Sequence, residues 1–411
     1  YYSAIAAANM ALNAIEEKGN PASLDPQRGE ALVCRAYCHF MLANIFCNAY
    51  DTHASQSLGV PYMEEVETTV SPRYERGTLE EVYRKVERDL LEGIDLISDD
   101  SYSVPKYHFT RKAAYAFAAR FYLYYMKPDF SNCDRVIDFA TRVLGTNPAD
   151  LLRNWEALGN LSVNGNVQAD AYIASSNEAN LLISSTVSNW GAIGSDYLIG
   201  PRYFHNQTLA TSETCLSSGL WGSSDYFYLK PFSTNGFVAS ILRKSGLYEG
   251  TYLYYMPVLF STDETLLCRA EAYALKKMYA QSAADITSWQ RAYTRNKSVL
   301  TPEQINTYYD RMSFYTPFTQ QTPKKKLAPD FMIEEGMQEN FIHCILHIRR
   351  ITTLHEGMRW PDIKRYGILI YRRDMANQRV TDEMPPNDLR YAIQIPRSVI
   401  VAGIQPNPRR N

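Results

Sequence analysis

The 411-residue sequence lacks the features that mark several large classes of protein. No apolar run reaches the roughly 18 residues that a membrane-spanning helix requires. The formal net charge is −2, from 42 basic and 44 acidic side chains, so no strong positive field exists to bind nucleic acid through its phosphates. Nucleophile elbows, P-loops and dinucleotide-binding fingerprints are also absent. The sequence therefore predicts no membrane span, no nucleic-acid partner and no catalytic motif.

Cysteine and histidine spacing gives no metal or disulfide framework. The sequence has 7 cysteines, an odd number, and none of them form a C-x-x-C pair. His343 and His347 are one helical turn apart, as in some zinc sites. The general base of that motif is missing and no third ligand is evident, although zinc needs three or four protein ligands. We expect no metal or cofactor, and we expect both histidines to pack between helices.

Hydrophobic periodicity predicts a mostly helical protein. The sequence is 45% hydrophobic and contains 31 tyrosines, 16 phenylalanines and 5 tryptophans, enough for a large core. Thr78 and Glu81 have the spacing of a helix-capping box. Apolar residues recur at helical spacing over residues 2–18, 30–48, 78–97, 110–126, 133–144, 261–278, 283–296, 302–312 and 329–356.

Helical periodicity and composition divide the sequence into three parts. Residues 1–150 are predicted to form a helical-repeat half, and residues 261–411 a second helical half with a C-terminal tail. Residues 151–260 are irregular and rich in aromatic residues, with short strands predicted at 179–185 and 236–242. So long an irregular segment is usually functional or disordered, and its aromatic content argues against disorder.

A weak internal repeat accompanies the helices. Arg35, Arg120 and Arg269 each lie in the middle of a predicted helix, between a small and an apolar residue. Such echoes in helix pairs suggest tetratricopeptide-like hairpins that stack into a scaffold. We expect the three arginines to be partly buried and ion-paired rather than catalytic.

Residues 356–367 carry a more specific pattern, Glu-Gly-Met-Arg-Trp-Pro-Asp-Ile-Lys-Arg-Tyr-Gly. Gly357 breaks the preceding helical pattern, Pro361 suits the first turn of a second helix, and Gly367 suits its end. This string resembles the signature of the SusD/RagB family. The segments at 394–396 and 404–408 are similar to the family's C-terminal segments, so the resemblance covers nearly the whole chain.

The charged residues of this block are predicted to hold the structure together. We expect Arg359 to pair with Asp362, and Glu356 to form a structural ion pair near Arg359. The family often has glutamate where this chain has Ile348 and Thr352, so the local ion-pair network is expected to differ from the family's.

The resemblance implies a scaffold of four helix pairs with a large insertion, and a function without catalysis. It implies a lipid-anchored protein of the outer-membrane surface, whose anchor lies outside the given sequence. Such a protein would capture nutrient oligomers, most simply glycans, and pass them to a SusC-like TonB-dependent transporter. Three alternatives stay open: a RagB-like oligopeptide-binding protein, a tetratricopeptide-type interaction scaffold, and a glycoside hydrolase.

Aromatic residues of the irregular segment are the candidate ligand-binding residues. Small neighbours leave an aromatic ring face open, and a flat ring with nearby polar groups suits a sugar. Trp190 and Trp221 are the first candidates, and the 50–62 loop is the alternative place for the site. The full candidate set is Trp155, Asn189, Trp190, Tyr203, Trp221, Asp225, Tyr226 and Tyr228.

Overall fold

Helical hairpins form most of the protein in the computed structural model. The structure describes residues 1–69, 72–162, 167–187, 207–214, 216–229, 246–249, 252–318, 320–354, 356–374, 377 and 379–409. The first helices are α1 (Tyr2–Glu16), α2 (Asp25–Phe46), α3 (Leu79–Leu96), α4 (Arg111–Tyr124) and α5 (Ser131–Leu144). These five helices were predicted by the helical periodicity, and α1 packs on α2, α2 on α3 and α4 on α5.

Local signals set several helix ends. The Thr78 hydroxyl accepts a hydrogen bond from the Glu81 N–H at 3.2 Å, and the Glu81 carboxylate accepts one from the Thr78 N–H at 2.9 Å. The predicted capping box is therefore confirmed. Gly145 ends α5 with φ of +63°, a conformation that residues with a Cβ rarely adopt.

Short elements follow in the irregular segment. Its described helices are α6 (Trp155–Gly159), α7 (Val167–Ile173) and α8 (Gln207–Glu213). Its strands are β1 (Asn180–Ile183), β2 (Thr186–Val187), β3 (Gly246–Glu249), β4 (Tyr252–Tyr255) and β5 (Val258–Ser261). Strand β1 pairs antiparallel with β5, and a second sheet has the order β2-β4-β3. The strand predicted at 179–185 is confirmed, whereas that at 236–242 lies outside the described residues.

The second set of helices completes the scaffold. It comprises α9 (Thr262–Leu275), α10 (Tyr279–Tyr293), α11 (Pro302–Arg311), α12 (Met337–Thr352), α13 (Arg359–Arg365) and α14 (Arg397–Val401), with a β-hairpin of β6 (Ile370–Arg373) and β7 (Val380–Met384). The helix predicted over 329–356 is shorter than expected. Gly336 precedes its first residue with φ of +87°, a backbone conformation outside the helical region. The mostly helical fold with a few short strands is confirmed.

The three repeated arginines are ion-paired and buried, as predicted. Arg35 donates to Asp89 at 2.6 Å, and Arg269 donates to Asp285 at 2.7 Å. Arg120 pairs with Glu264 at 3.2 Å. Each pair joins two different helices, so these charges help to fix helix packing.

The predicted ion pair between Arg359 and Asp362 is wrong. Asp362 is buried and accepts hydrogen bonds from Arg365 at 2.8 Å and from Arg349 at 3.2 Å. These two guanidinium groups bind both oxygens of the Asp362 carboxylate. Arg359 makes no hydrogen bond or salt bridge to Asp362, and burial together with the nearby Arg350 charge lowers the pKa of Arg359 to about 9.

Buried contacts tie the insertion and the C-terminal region to the scaffold. Glu213, at the end of α8, accepts a hydrogen bond from Lys325 at 2.7 Å and another from Arg350 on α12. Lys364 donates to the carbonyl oxygens of Asn44 and Cys47 at 2.6 and 2.8 Å, at the C-terminal end of α2. In the described part of the chain, no helix is both long enough and apolar enough to span a bilayer.

Candidate functional site

An open groove lies between a tight glycine turn and helix α11, with a volume of about 560 Å³. One wall is the turn and short helix at 219–226, and the other is α11 with the loop before it. The lining residues are Gly219, Leu220, Trp221, Gly222, Tyr226, Asn296, Ser298, Leu300, Glu303, Gln304, Thr307, Tyr308 and Arg311. Ligand pockets are typically concave and of about this size, with a few polar groups that orient the ligand.

The turn requires glycine at both of its ends. Gly219 and Gly222 exchange two backbone hydrogen bonds of 2.9 Å. Gly222 has φ of +100°, and a Cβ there would lie 2.9 Å from the Tyr226 ring. A Cβ on Gly219 would lie 2.4 Å from the Trp221 ring. The two glycines therefore allow both rings to lie directly against the backbone of the turn.

Arg295 and Asn296, which follow α10, hold the wall at 219–226 in place through hydrogen bonds. The Arg295 N–H donates to the Tyr226 carbonyl at 2.8 Å, and its guanidinium donates to the carbonyl oxygens of Asp225 and Phe227 at 3.2 and 3.0 Å. The Asn296 amide donates to the Trp221 carbonyl at 3.3 Å. These bonds are to backbone atoms, so they fix the position of the turn and leave the Tyr226 side chain at the groove.

Tyr226 is the exposed aromatic residue of this wall. Its side chain is 44% exposed and lines the groove, with its ring against Gly222. Asp225, the next residue back, is exposed but does not line the groove. Ser223 caps the short helix Ser224–Tyr226, since its hydroxyl accepts from the Asp225 N–H at 3.4 Å.

Helix α11 gives the opposite wall a mixed polar and aromatic face. Glu303, Thr307 and Arg311 follow one another at intervals of four residues, and Gln304 and Tyr308 form a second row beside them. A capping box at Thr301 and Gln304 starts the helix. The sequence predicts this helix but does not mark these residues as a site. Their polar and aromatic spacing is visible in the sequence, but an ordinary exposed helix face has the same spacing.

The Trp221 ring is buried, which corrects its assignment as an open stacking platform. Only 1% of this residue is exposed, and its ring lies 5.4 Å from both Phe227 and Trp289 and 5.2 Å from His347. The indole N–H donates to the Ser217 carbonyl at 3.2 Å. Glycine neighbours here allow close packing against the ring and do not expose it. Trp221 forms the floor of the groove.

His347 supports this floor as a neutral side chain. Its two ring nitrogens lie 2.9 Å from the Ser217 hydroxyl and 3.0 Å from the Tyr309 hydroxyl. Burial lowers the pKa of His347 to about 3. The nearby His343 is also buried, and burial lowers its pKa too. Among the described residues, no three histidine, cysteine or acidic side chains form a set that could hold a metal ion.

Trp155 and Tyr228, two further candidates that the structure describes, do not line the groove. Trp155 is half-buried, with its ring 4.3 Å from Tyr293. The Tyr228 ring is flanked by the cations of Arg295 and Lys297, at 5.1 and 4.9 Å. The remaining three candidates, Asn189, Trp190 and Tyr203, lie outside the described residues, and their role stays a prediction.

Comparison with known proteins agrees with the resemblance seen in the sequence. Residues 1–123 match a SusD-like family model described as starch-binding and associating with the outer membrane. No curated protein matches the chain.

Solved structures of the SusD superfamily share the fold over nearly the whole chain. A SusD superfamily protein from Bacteroides thetaiotaomicron is 20% identical with a TM-score of 0.62, covering 99% of this chain and 84% of that one. A putative sugar binding protein from Bacteroides vulgatus is also 20% identical, with a TM-score of 0.63 and coverage of 99% and 83%. A SusD superfamily protein from Bacteroides fragilis is 16% identical, with a TM-score of 0.65 and coverage of 98% and 81%. The resemblance to SusD-like proteins is therefore confirmed by the family model over residues 1–123 and, for the fold, by the solved structures over nearly the whole chain.

Proposed function

We propose that this SusD-like protein binds oligosaccharides, without cleaving them, in the groove between Tyr226 and Tyr308. The observation that carries the proposal is the composition of the groove. Two tyrosine rings accompany the side chains of Thr307 and Arg311 in a groove between a helix and a turn that is held by backbone hydrogen bonds. A sugar ring has an apolar C–H face and a polar rim, so it suits tyrosine faces beside hydrogen-bonding groups.

The acidic groups of the groove favour binding over hydrolysis. Most glycoside hydrolases use two carboxyl groups on either side of the scissile bond. Glu303 is the only acidic residue among the described residues that line the groove. A single carboxylate provides a hydrogen-bond acceptor for sugar hydroxyls, but not the acid and nucleophile pair.

The proposal includes delivery of the bound glycan at the outer membrane. The family model matched by residues 1–123 is described as associating with the outer membrane, and a structural relative is described as a putative sugar binding protein. We infer a lipid-anchored protein at the cell surface that hands its ligand to a SusC-like TonB-dependent transporter. Stable protein interfaces usually bury at least about 1,200 Å², so the complex should survive mild detergent.

Calorimetry with a panel of soluble oligosaccharides and a matched panel of oligopeptides tests the ligand class. We expect at least one oligosaccharide class to bind, and maltoheptaose, a starch fragment, is the first to test. Long incubation with the bound oligosaccharide should release no new reducing ends. Binding to peptides alone, or release of new reducing ends, would contradict it. Affinity purification from outer membranes in mild detergent tests the partner separately, and recovery of the protein alone would refute the transporter complex.

A further inference from the structure

A second pocket lies between helix α1 and residues 395–404, and it shares no lining residue with the groove. Its volume is about 410 Å³, and its walls come from α1, the end of α2, the loop at 60–67 with Tyr74, and the 395–404 segment. Ile5, Leu42 and Val60 are buried side chains that line it, and Phe46 and Ile404 line it as well. We call it the terminal pocket.

Hydrogen bonds fix the walls of the terminal pocket. The Asn9 amide on α1 donates to the carbonyl oxygens of Met63 and Glu65 at 3.1 and 3.2 Å. The Asn407 amide donates to the carbonyl oxygens of Phe46 and Ile393 at 2.9 and 2.8 Å. The first set ties the loop to α1, and the second ties the C-terminal segment to the end of α2. The pocket is therefore formed before any ligand arrives.

Large apolar side chains are exposed around the terminal pocket. Met10 lines it and is 62% exposed, and Val399 lines it and is also exposed. An apolar cavity with exposed apolar side chains in its lining is typical of a protein-interaction site.

The charged side chains that line the pocket are acidic, and the neighbouring Arg76 guanidinium is bound to the carbonyl oxygens of Gly59 and Gln405. Among the described residues that line it, the charged ones are Glu65 and Glu67, and both are exposed. The Glu67 carboxylate also accepts a hydrogen bond from Tyr74, which orients it at the rim. Two carboxylates beside an apolar cavity disfavour an acidic ligand and favour a cationic one.

We propose that the terminal pocket docks an amphipathic peptide segment of a partner protein. The apolar side chains of that segment fill the pocket, and its lysine or arginine side chains pair with Glu65 and Glu67. An apolar helix face laid into a groove is a common mode of peptide recognition. The inference rests on surfaces separate from the glycan groove and does not depend on the proposed function.

Fluorescence anisotropy with two labelled peptides tests the proposal. Both peptides have the same leucine pattern, but one has lysine and the other glutamate on its polar face. We expect the lysine peptide to bind at least tenfold more tightly. Ala6→Trp fills the pocket and should abolish binding, whereas Ala14→Trp, an exposed site on the same helix outside the lining, should not. The double variant Glu65→Gln, Glu67→Gln should remove the preference for lysine. Melting temperatures of all variants check that each one is folded.

Three results would overturn the proposal. The first is equal binding of the two peptides to the parent protein, and the second is full binding to the folded Ala6→Trp variant. The third is a dimer of the parent protein, detected by light scattering, that the Ala6→Trp substitution dissociates. Such a dimer would assign the pocket to a second copy of the chain.

Discussion

Asp362 accepts a hydrogen bond from Arg349 at 3.2 Å, across the Gly357 break between α12 and α13. Arg365 donates to the other carboxylate oxygen at 2.8 Å and also pairs with Glu271 at 2.9 Å. All four side chains are buried, so this network locks the short helix α13 against the scaffold.

Replacing Asp362 by alanine should therefore destabilise the fold strongly. Removing one partner of a buried ion pair leaves an uncompensated charge, at a cost of about 3–5 kcal/mol. Urea unfolding of Asp362→Ala measures this loss, and Asp100→Ala, at an exposed site, is the control. If the two variants unfold at the same urea concentration, the structural role of Asp362 is rejected.

The Trp221→Ala substitution should act on stability first, because the ring is buried under the groove. Truncation of a buried tryptophan typically costs about 3–5 kcal/mol. The cavity would lie between Trp289 and His347, so the floor of the groove should collapse or soften. Thermal unfolding measures the effect. A fully stable variant that has lost only glycan binding would show that Trp221 is a ligand-stacking residue after all.

Buried neutral histidines should make stability fall with acidification. Burial lowers the pKa of His39 to about 4 and that of His347 to about 3, whereas an unfolded histidine titrates near 6.5. Both groups thus stabilise the fold above about pH 6.5, and this contribution is lost as pH falls from 6.5 towards 4. Each fully shifted group contributes a slope of about 1.4 kcal/mol per pH unit in that window.

Unfolding free energies measured from pH 7 to pH 4.5 test this dependence. The double variant His39→Gln, His347→Gln should be less stable at pH 7 but should show a shallower slope. His53→Gln, at an exposed site, should keep the parent slope. An unchanged slope in the double variant would mean that other groups carry the acid sensitivity.

Tyr226 and Tyr308 should contribute to ligand affinity with little effect on stability. Loss of an aromatic anchor at a binding site typically costs about 2 kcal/mol or more, which corresponds to roughly 30-fold weaker binding. Calorimetry on Tyr226→Ala and Tyr308→Ala measures the loss, with Tyr107→Ala as an exposed tyrosine control elsewhere on the surface. Parent affinity in both variants would move the search to the pocket of about 310 Å³ beside Tyr50.

The fold could be predicted from local signals, whereas the site depends on long-range packing. The Thr78 capping box and the buried role of Arg120 follow from residues close in sequence or from a simple repeat. The burial of Trp221 follows from its contacts with Trp289 and His347, which are distant in sequence and which its glycine neighbours do not reveal. The same holds for Tyr308, whose helix becomes a wall of the groove only through its position opposite the 219–226 turn.

The most direct measurement is a crystal structure of the protein with an oligosaccharide that binds in solution. We expect an intact glycan in the groove, with sugar rings against Tyr226 and Tyr308 and hydroxyls bonded to side chains of α11. A glycan bound elsewhere on the protein, or one cleaved at a glycosidic bond in the groove, would contradict it.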